Sequence, residues 1–221
     1  MKTLLKRSIT VLATLGILTL CSHRGANANI FDQQEVDQNR FIAIAVPRAF
    51  GPQLLILEQK SDQRLCWAES GDRPSLVDPL LLNFDFTGIC GRATDSNGYS
   101  IRMADTDMAL DYALSLQSSG GDVRLMGISR VDSTAPRLLI GRTYGLADGF
   151  TKIVLEPGWR FAKRSYQGKE LGHVYLTTDW MPTELESYNQ KLNVSDQKDI
   201  ANHIDRSNNA ILSLNNNRKS K

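Results

Sequence analysis

The chain has 221 residues, of which 41% are hydrophobic and 23% charged, and its 26 Lys+Arg against 24 Asp+Glu give a formal charge of +2. Four of those cations (Lys2, Lys6, Arg7, Arg24) and no acid fall in residues 1–28, so the chain from residue 29 onward carries −2. With no Lys/Arg run interleaved with aromatics, this excludes nucleic-acid binding carried by basic charge.

The N-terminus predicts a secretory signal peptide. Lys2, Lys6 and Arg7 precede an apolar run from Ile9 to Leu20, and Ala26-Asn27-Ala28 places small residues where a signal peptidase reads. Cleavage is expected after Ala28, leaving 193 residues and an exported protein, periplasmic or extracellular and associated with the cell envelope. The run of about 12 apolar residues falls short of the ~20 that span a bilayer, and no later segment reaches that length. A lipidated Cys21 is the competing reading, but the large Leu20 stands where a small residue is wanted. Removal of the leader also removes Cys21. Cys66 and Cys90 remain, which in an oxidising compartment are disulfide candidates; two buried thiols that never meet are the alternative.

Residues 29–40 read as a polar entry segment. Short runs rich in β-branched and aromatic residues then follow, bounded by Gly and Pro. Strands are predicted at 41–46, 53–58, 64–68, 80–86 and 99–103, with Leu82, Phe84 and Phe86 on one face of the fourth. Asp95-Ser96-Asn97-Gly98 reads as a turn in which Asn-Gly supplies positive φ. A hairpin is predicted over 111–129, further strands at 137–140 and 151–155, and a second hairpin with strands 159–165 and 172–177 around Tyr166-Gln167-Gly168-Lys169. About ten short strands at this spacing imply an all-β fold, a single antiparallel β-sandwich or barrel-like domain over 29–180. After Trp180 the composition changes: residues 181–221 hold eight Asn, no Gly and one aromatic. Ile200, Ala201, Ile204, Ile211 and Leu214 suggest an amphipathic helix over 196–213 in an otherwise polar tail, with Ser195 as N-cap.

Four blocks carry a resemblance: FDQQEVDQNRF (31–41), DPLLLNFDFTGICGR (78–92), TDSNGYSIR (94–102) and PGWRFAKRSYQGKELGH (157–173). Together they resemble a domain of secreted cyanobacterial proteins known as domain of unknown function 3747, over about residues 30–180. The resemblance implies an exported, β-rich cell-envelope domain. It implies no catalytic residue, because the family has no assigned activity.

Candidate chemistry is sparse. Behind the leader only His173 and His203 remain, and no G-x-S-x-G elbow accompanies them. Cys66 and Cys90 lack the spacing of a zinc site. Asp78, Asp85 and Asp95 offer carboxylates of the kind glycosidases pair, with a turn or solvated role for Asp85 as the competing reading. Asp105-Thr106-Asp107 with Asp111, and Asp95 to Gly98, offer oxygen ligands for calcium but lack the rest of a calcium loop; no other cofactor is expected. Trp67, Asp85, Tyr99 and Trp159 are candidate ligand contacts, since aromatic rings on β-sheet surfaces suit sugars, with core packing as the competing role of both tryptophans. Arg92, Arg142, Arg160 and Arg164 are candidates to line an acidic-polysaccharide surface. These features favour a non-catalytic exported module that binds glycan or another envelope component. A hydrolase of envelope polysaccharide or peptide, and a structural partner protein docking through its tail, are the alternatives.

Overall fold

A computed structural model describes residues 31–188. The predicted leader, the 196–213 helix and Cys21 lie outside them. The described residues form fourteen strands in two sheets. One sheet has the order β1 (Asp32–Glu35), β13 (Arg160–Tyr166), β14 (Lys169–Thr178), β7 (Tyr99–Met103), β8 (Thr106–Asp107). The other runs β6 (Cys90–Ala93), β3 (Gln53–Gln59), β2 (Phe41–Val46), β12 (Thr151–Leu155), β11 (Leu138–Arg142), β10 (Asp122–Ser129), β9 (Tyr112–Ser119), with β5 (Leu76–Asp78) and β4 (Ala68–Ser70) attached beside β12. The sheets curl over one another as a sandwich or half-barrel, so the expected all-β class holds.

Alternation explains how the core is built. In β2, Phe41, Ala43 and Ala45 point into the space between the sheets, where Ile56, Ile101, Leu125, Ile140, Phe161 and Leu176 also meet. Ile42, Ile44 and Val46 point the other way, into a second cluster with Leu57, Val77 and Leu81. All six residues of β2 are therefore buried, the continuous apolar pattern of a strand covered on both faces. The cover on the far side is the segment from 60 to 89, closed by the Cys66–Cys90 disulfide, whose Cα atoms lie 5.8 Å apart.

The predicted strands at 41–46, 99–103 and 151–155 occur with those bounds, and both hairpins form. Their turns place Gly120 and Gly121, and Gln167 and Gly168, at positive φ, the requirement of the two-residue turn that matches strand twist. Three expectations are corrected. Residues 64–68 carry no strand beyond Ala68 itself, the first residue of β4, and Cys66 sits in the connection before it. Residues 80–86 open with a 3-10 helix, Leu80–Asn83. The disulfide-closed segment lies across a sheet face, so Leu81 is buried there, Phe84 and Phe86 pack beside it, and Leu82 is exposed. The Asp95–Gly98 turn exists, its Gly98 N–H donating to Asp95 O at 3.0 Å or less (2.9 Å), but Gly98 is not at positive φ. Glycine is needed there because a Cβ would come within 2.8 Å of that of Ala93. The sheets also contain one parallel ladder, β7 with β14, where antiparallel pairing alone was expected. At the end of the domain residues 182–188 form a short helix, and Leu185 from it joins the main core.

Replacing Cys66 and Cys90 together with Ala opens a 24-residue loop, and the expected loss is about 3 kcal/mol of stability. Urea unfolding of the oxidised protein against the double variant measures it; equal midpoints would show that the cover is held by packing alone.

Candidate functional site

The β2–β12 ladder ends at the pair Ala43–Ile153. Beyond it the two strands part, while on its other edge β12 continues to pair with β11, Leu155 opposite Gly141. The gap is a groove of about 320 Å³, flanked by the 3-10 turn Gln38–Arg40 and the start of β13. Gln38 closes one end as a surrogate strand: its side-chain amide donates to Phe161 O at 2.9 Å and accepts from Phe161 N at 2.8 Å.

Two indoles line this groove, Trp67 and Trp159. Trp159 enters it from the Pro157-Gly158 turn, where Gly158 has φ +86° and a Cβ would collide with the Trp180 ring. Trp159 is 6% exposed and belongs to the main core, and its Nε1 finds no hydrogen-bond acceptor among the described residues. Trp67 follows the bridged Cys66, whose N–H donates to the Gln59 side chain at 2.9 Å. Its own Nε1 donates to Glu69 Oε1 at 3.2 Å, and Glu69 Oε2 pairs with Lys152 Nζ at 2.7 Å. Arg160 at the other end is held by Glu35 (3.0 Å) and Asp179 (2.8 Å), which together stabilise its charge. The groove thus combines aromatic and aliphatic walls with charges that are already paired.

A second polar cluster lies on the face of the five-stranded sheet turned away from the core. The parallel register sets Tyr175 beside Ser100. Ser100 Oγ and His173 Nε2 are 2.8 Å apart, and His173 Nδ1 is 2.8 Å from Asn97 O. A carbonyl only accepts, so Nδ1 carries the hydrogen and Nε2 accepts from the Ser100 hydroxyl. Arg164 donates to Tyr175 OH (2.7 Å), to Asp107 Oδ2 (2.7 Å) and weakly to Ser100 Oγ (3.4 Å). Ser100 and His173 are both buried. Burial pushes the His173 pKa below its ordinary value; the bond to Asn97 opposes this, and the Arg164 charge adds to it. A hydroxyl held against a neutral, oriented imidazole is the arrangement of a serine nucleophile and its base. Composition could not reveal it, because Ser100 and His173 meet only through the parallel pairing of distant strands.

The other sequence candidates scatter. Asp85 is exposed and caps a turn, accepting from Thr87 N at 3.0 Å, which lowers its pKa. Tyr99 donates to Thr94 O at 3.3 Å and packs against the main core. Neither reaches the groove. Asp107 is engaged by Arg164 and Tyr175, and no group of acidic, His or Cys residues placed to hold a metal occurs among the described residues. Arg142, Arg160 and Arg164 are in ion pairs with Glu156, with Glu35 and Asp179, and with Asp107, so they do not form one basic surface.

Fold and grooves define a disulfide-stapled β-sandwich or half-barrel module with one aromatic cleft. The chain belongs to the family described as "Protein of unknown function (DUF3747)", whose model matches residues 8–181. No match is found among curated proteins or among solved structures.

The depressed His173 pKa has a stability consequence. The unfolded chain takes up this proton near pH 6.5 and the folded one only at lower pH, so the stability held by neutral His173 is present above about pH 6.5 and lost as pH falls below it. The urea midpoint should drop as pH falls below about 6.5, and by less in His173→Gln; parallel pH profiles for the two proteins would remove this role.

Proposed function

We propose that this protein is a non-catalytic exported module of the cell envelope or extracellular space, and that it binds glycan in the Trp67–Trp159 groove. The observation that carries this reading is the convergence of two indoles, distant in sequence, on one groove with amide and charged groups at its rim. Flat apolar rings beside polar tips suit the faces and hydroxyls of a sugar. The leader read from the sequence and the Cys66–Cys90 bridge support export, and no helix among the described residues is long and apolar enough to cross a membrane.

The chain from Asn29, presented with neutral envelope glycans on an array, should bind, and Trp67→Ala should weaken that binding by about tenfold, or ~1.4 kcal/mol. Trp159→Phe, which keeps the core filled, should weaken it as well. Silence across every envelope glycan would end this reading.

The Ser100–His173 geometry favours a second reading, a hydrolase working by acyl transfer. A fluorophosphonate probe should then label Ser100, and His173→Gln should suppress labelling while the fold persists. An unlabelled, folded protein would leave the cluster a structural network.

A further inference from the structure

The nine-stranded sheet has another concavity, on the side of the second apolar cluster. It is a cup of about 110 Å³ beside the β2–β3 turn and the Leu80–Asn83 helix. Val46, Leu57 and Leu81, all buried, form its floor, and the half-buried Leu55, Pro79 and Phe150 form its wall. Arg48, Leu82 and Arg92, all exposed, line its rim. It shares no lining residue with the Trp67–Trp159 groove.

Both its floor and its rim depend on the stapled segment. The 3-10 helix is tied down by Leu81 N–H donating to Cys66 O at 3.1 Å, which turns Leu81 inward and leaves Leu82 at the edge. Arg92 extends from β6, two residues after the bridged Cys90. Arg48 stands in the turn between Val46 and Gln53, where Gly51 has φ +111°. Among the described residues neither guanidinium has a carboxylate partner, and the Arg92 Cζ lies 5.9 Å from the centre of the Phe86 ring. Arg142, Arg160 and Arg164, by contrast, are each paired with acids.

We infer that this cup binds a short aliphatic carboxylate, with its chain against Leu55, Pro79, Leu82 and Phe150 and its carboxylate at Arg48 and Arg92. The apolar lining selects an alkyl chain. The two open guanidiniums select an anion, and their planar donor forks match a carboxylate. The volume limits the chain: a 150 Å³ apolar cavity holds benzene, so this one takes about four to six carbons.

Methyl NMR of the disulfide-intact protein tests this with butyrate, hexanoate, decanoate, acetate and hexylamine. Hexanoate should shift the methyls of Leu55 and Leu82, with an optimum at about four to six carbons. Acetate, lacking the chain, and hexylamine, of opposite charge, should bind at least tenfold more weakly. Arg48→Ala with Arg92→Ala should cost hexanoate at least tenfold in affinity without moving the melting temperature, since both residues are exposed. Trp67→Ala should change nothing here. No shift with hexanoate, or equal responses to hexanoate and hexylamine, would overturn the assignment.

Discussion

Strand β2 must be buried on both faces, and the rest of the molecule follows from that. Its inward residues Phe41, Ala43 and Ala45 face the second sheet. Its outward residues Ile42, Ile44 and Val46 would lie in water unless something covered them. Full burial of one such side chain is worth about 1.5–3 kcal/mol, so three exposed ones would forfeit a large part of a typical domain's stability of about 5–15 kcal/mol. The segment 60–89 supplies the cover with only two three-residue strands, β4 and β5, and one short 3-10 helix. Little ladder hydrogen bonding holds it there, and the disulfide offsets the entropy of ordering it. The two surface concavities lie along this cover. Trp67 borders one beside Cys66, and Leu81, Leu82 and Arg92 border the other.

The opposite sheet solves a different problem. Its outer face carries Ser100, Arg102, Arg164, His173, Tyr175 and Thr177, polar groups that are mostly buried. Burying them is tolerable because they satisfy one another: Arg164 serves Asp107, Tyr175 and Ser100, and Thr177 donates to Gln33 at 2.9 Å. Arg102 is the exception, with its Nε unpartnered although Nη1 donates to Phe31 O. Between the sheets, Lys163 of β13 is 2% exposed and pairs with Glu58 of β3 at 2.8 Å. Such a pair adds little net stability over an apolar one, but losing Lys163 leaves the mostly buried Glu58 charge without it, and losing Glu58 leaves Lys163 only the longer contact to Glu170 at 3.6 Å. It therefore pins the relative placement of the two sheets.

Legibility in the sequence followed the strength of local signals. Strands β2, β7 and β12 stood out because continuous or alternating apolar runs report burial directly. Both hairpins stood out because Gly-Gly and Gln-Gly turns are local chemistry. β1, with the sequence DQQE, reads as a polar lead-in, because an exposed edge strand has no apolar face to announce it. The Leu80 to Phe86 run misled, since alternation alone cannot distinguish a strand from an irregular segment folded over a sheet. Among the candidate contacts, Trp67 and Trp159 do meet at one groove, whereas Asp85 and Tyr99 serve local turns and packing.

By itself the sequence determined the all-β class, the periodicity of the main strands and the availability of just two cysteines behind the leader, because each is written in neighbouring residues or in simple counts. Tertiary structure alone decided that Trp67 joins Trp159, that Ser100 meets His173, and that Arg48 and Arg92 border one apolar cup. Those juxtapositions depend on strand order, on a parallel ladder and on where the β2–β12 pairing stops. Such long-range choices are set by how two sheets and a stapled cover share one core, and local residue preferences do not encode them.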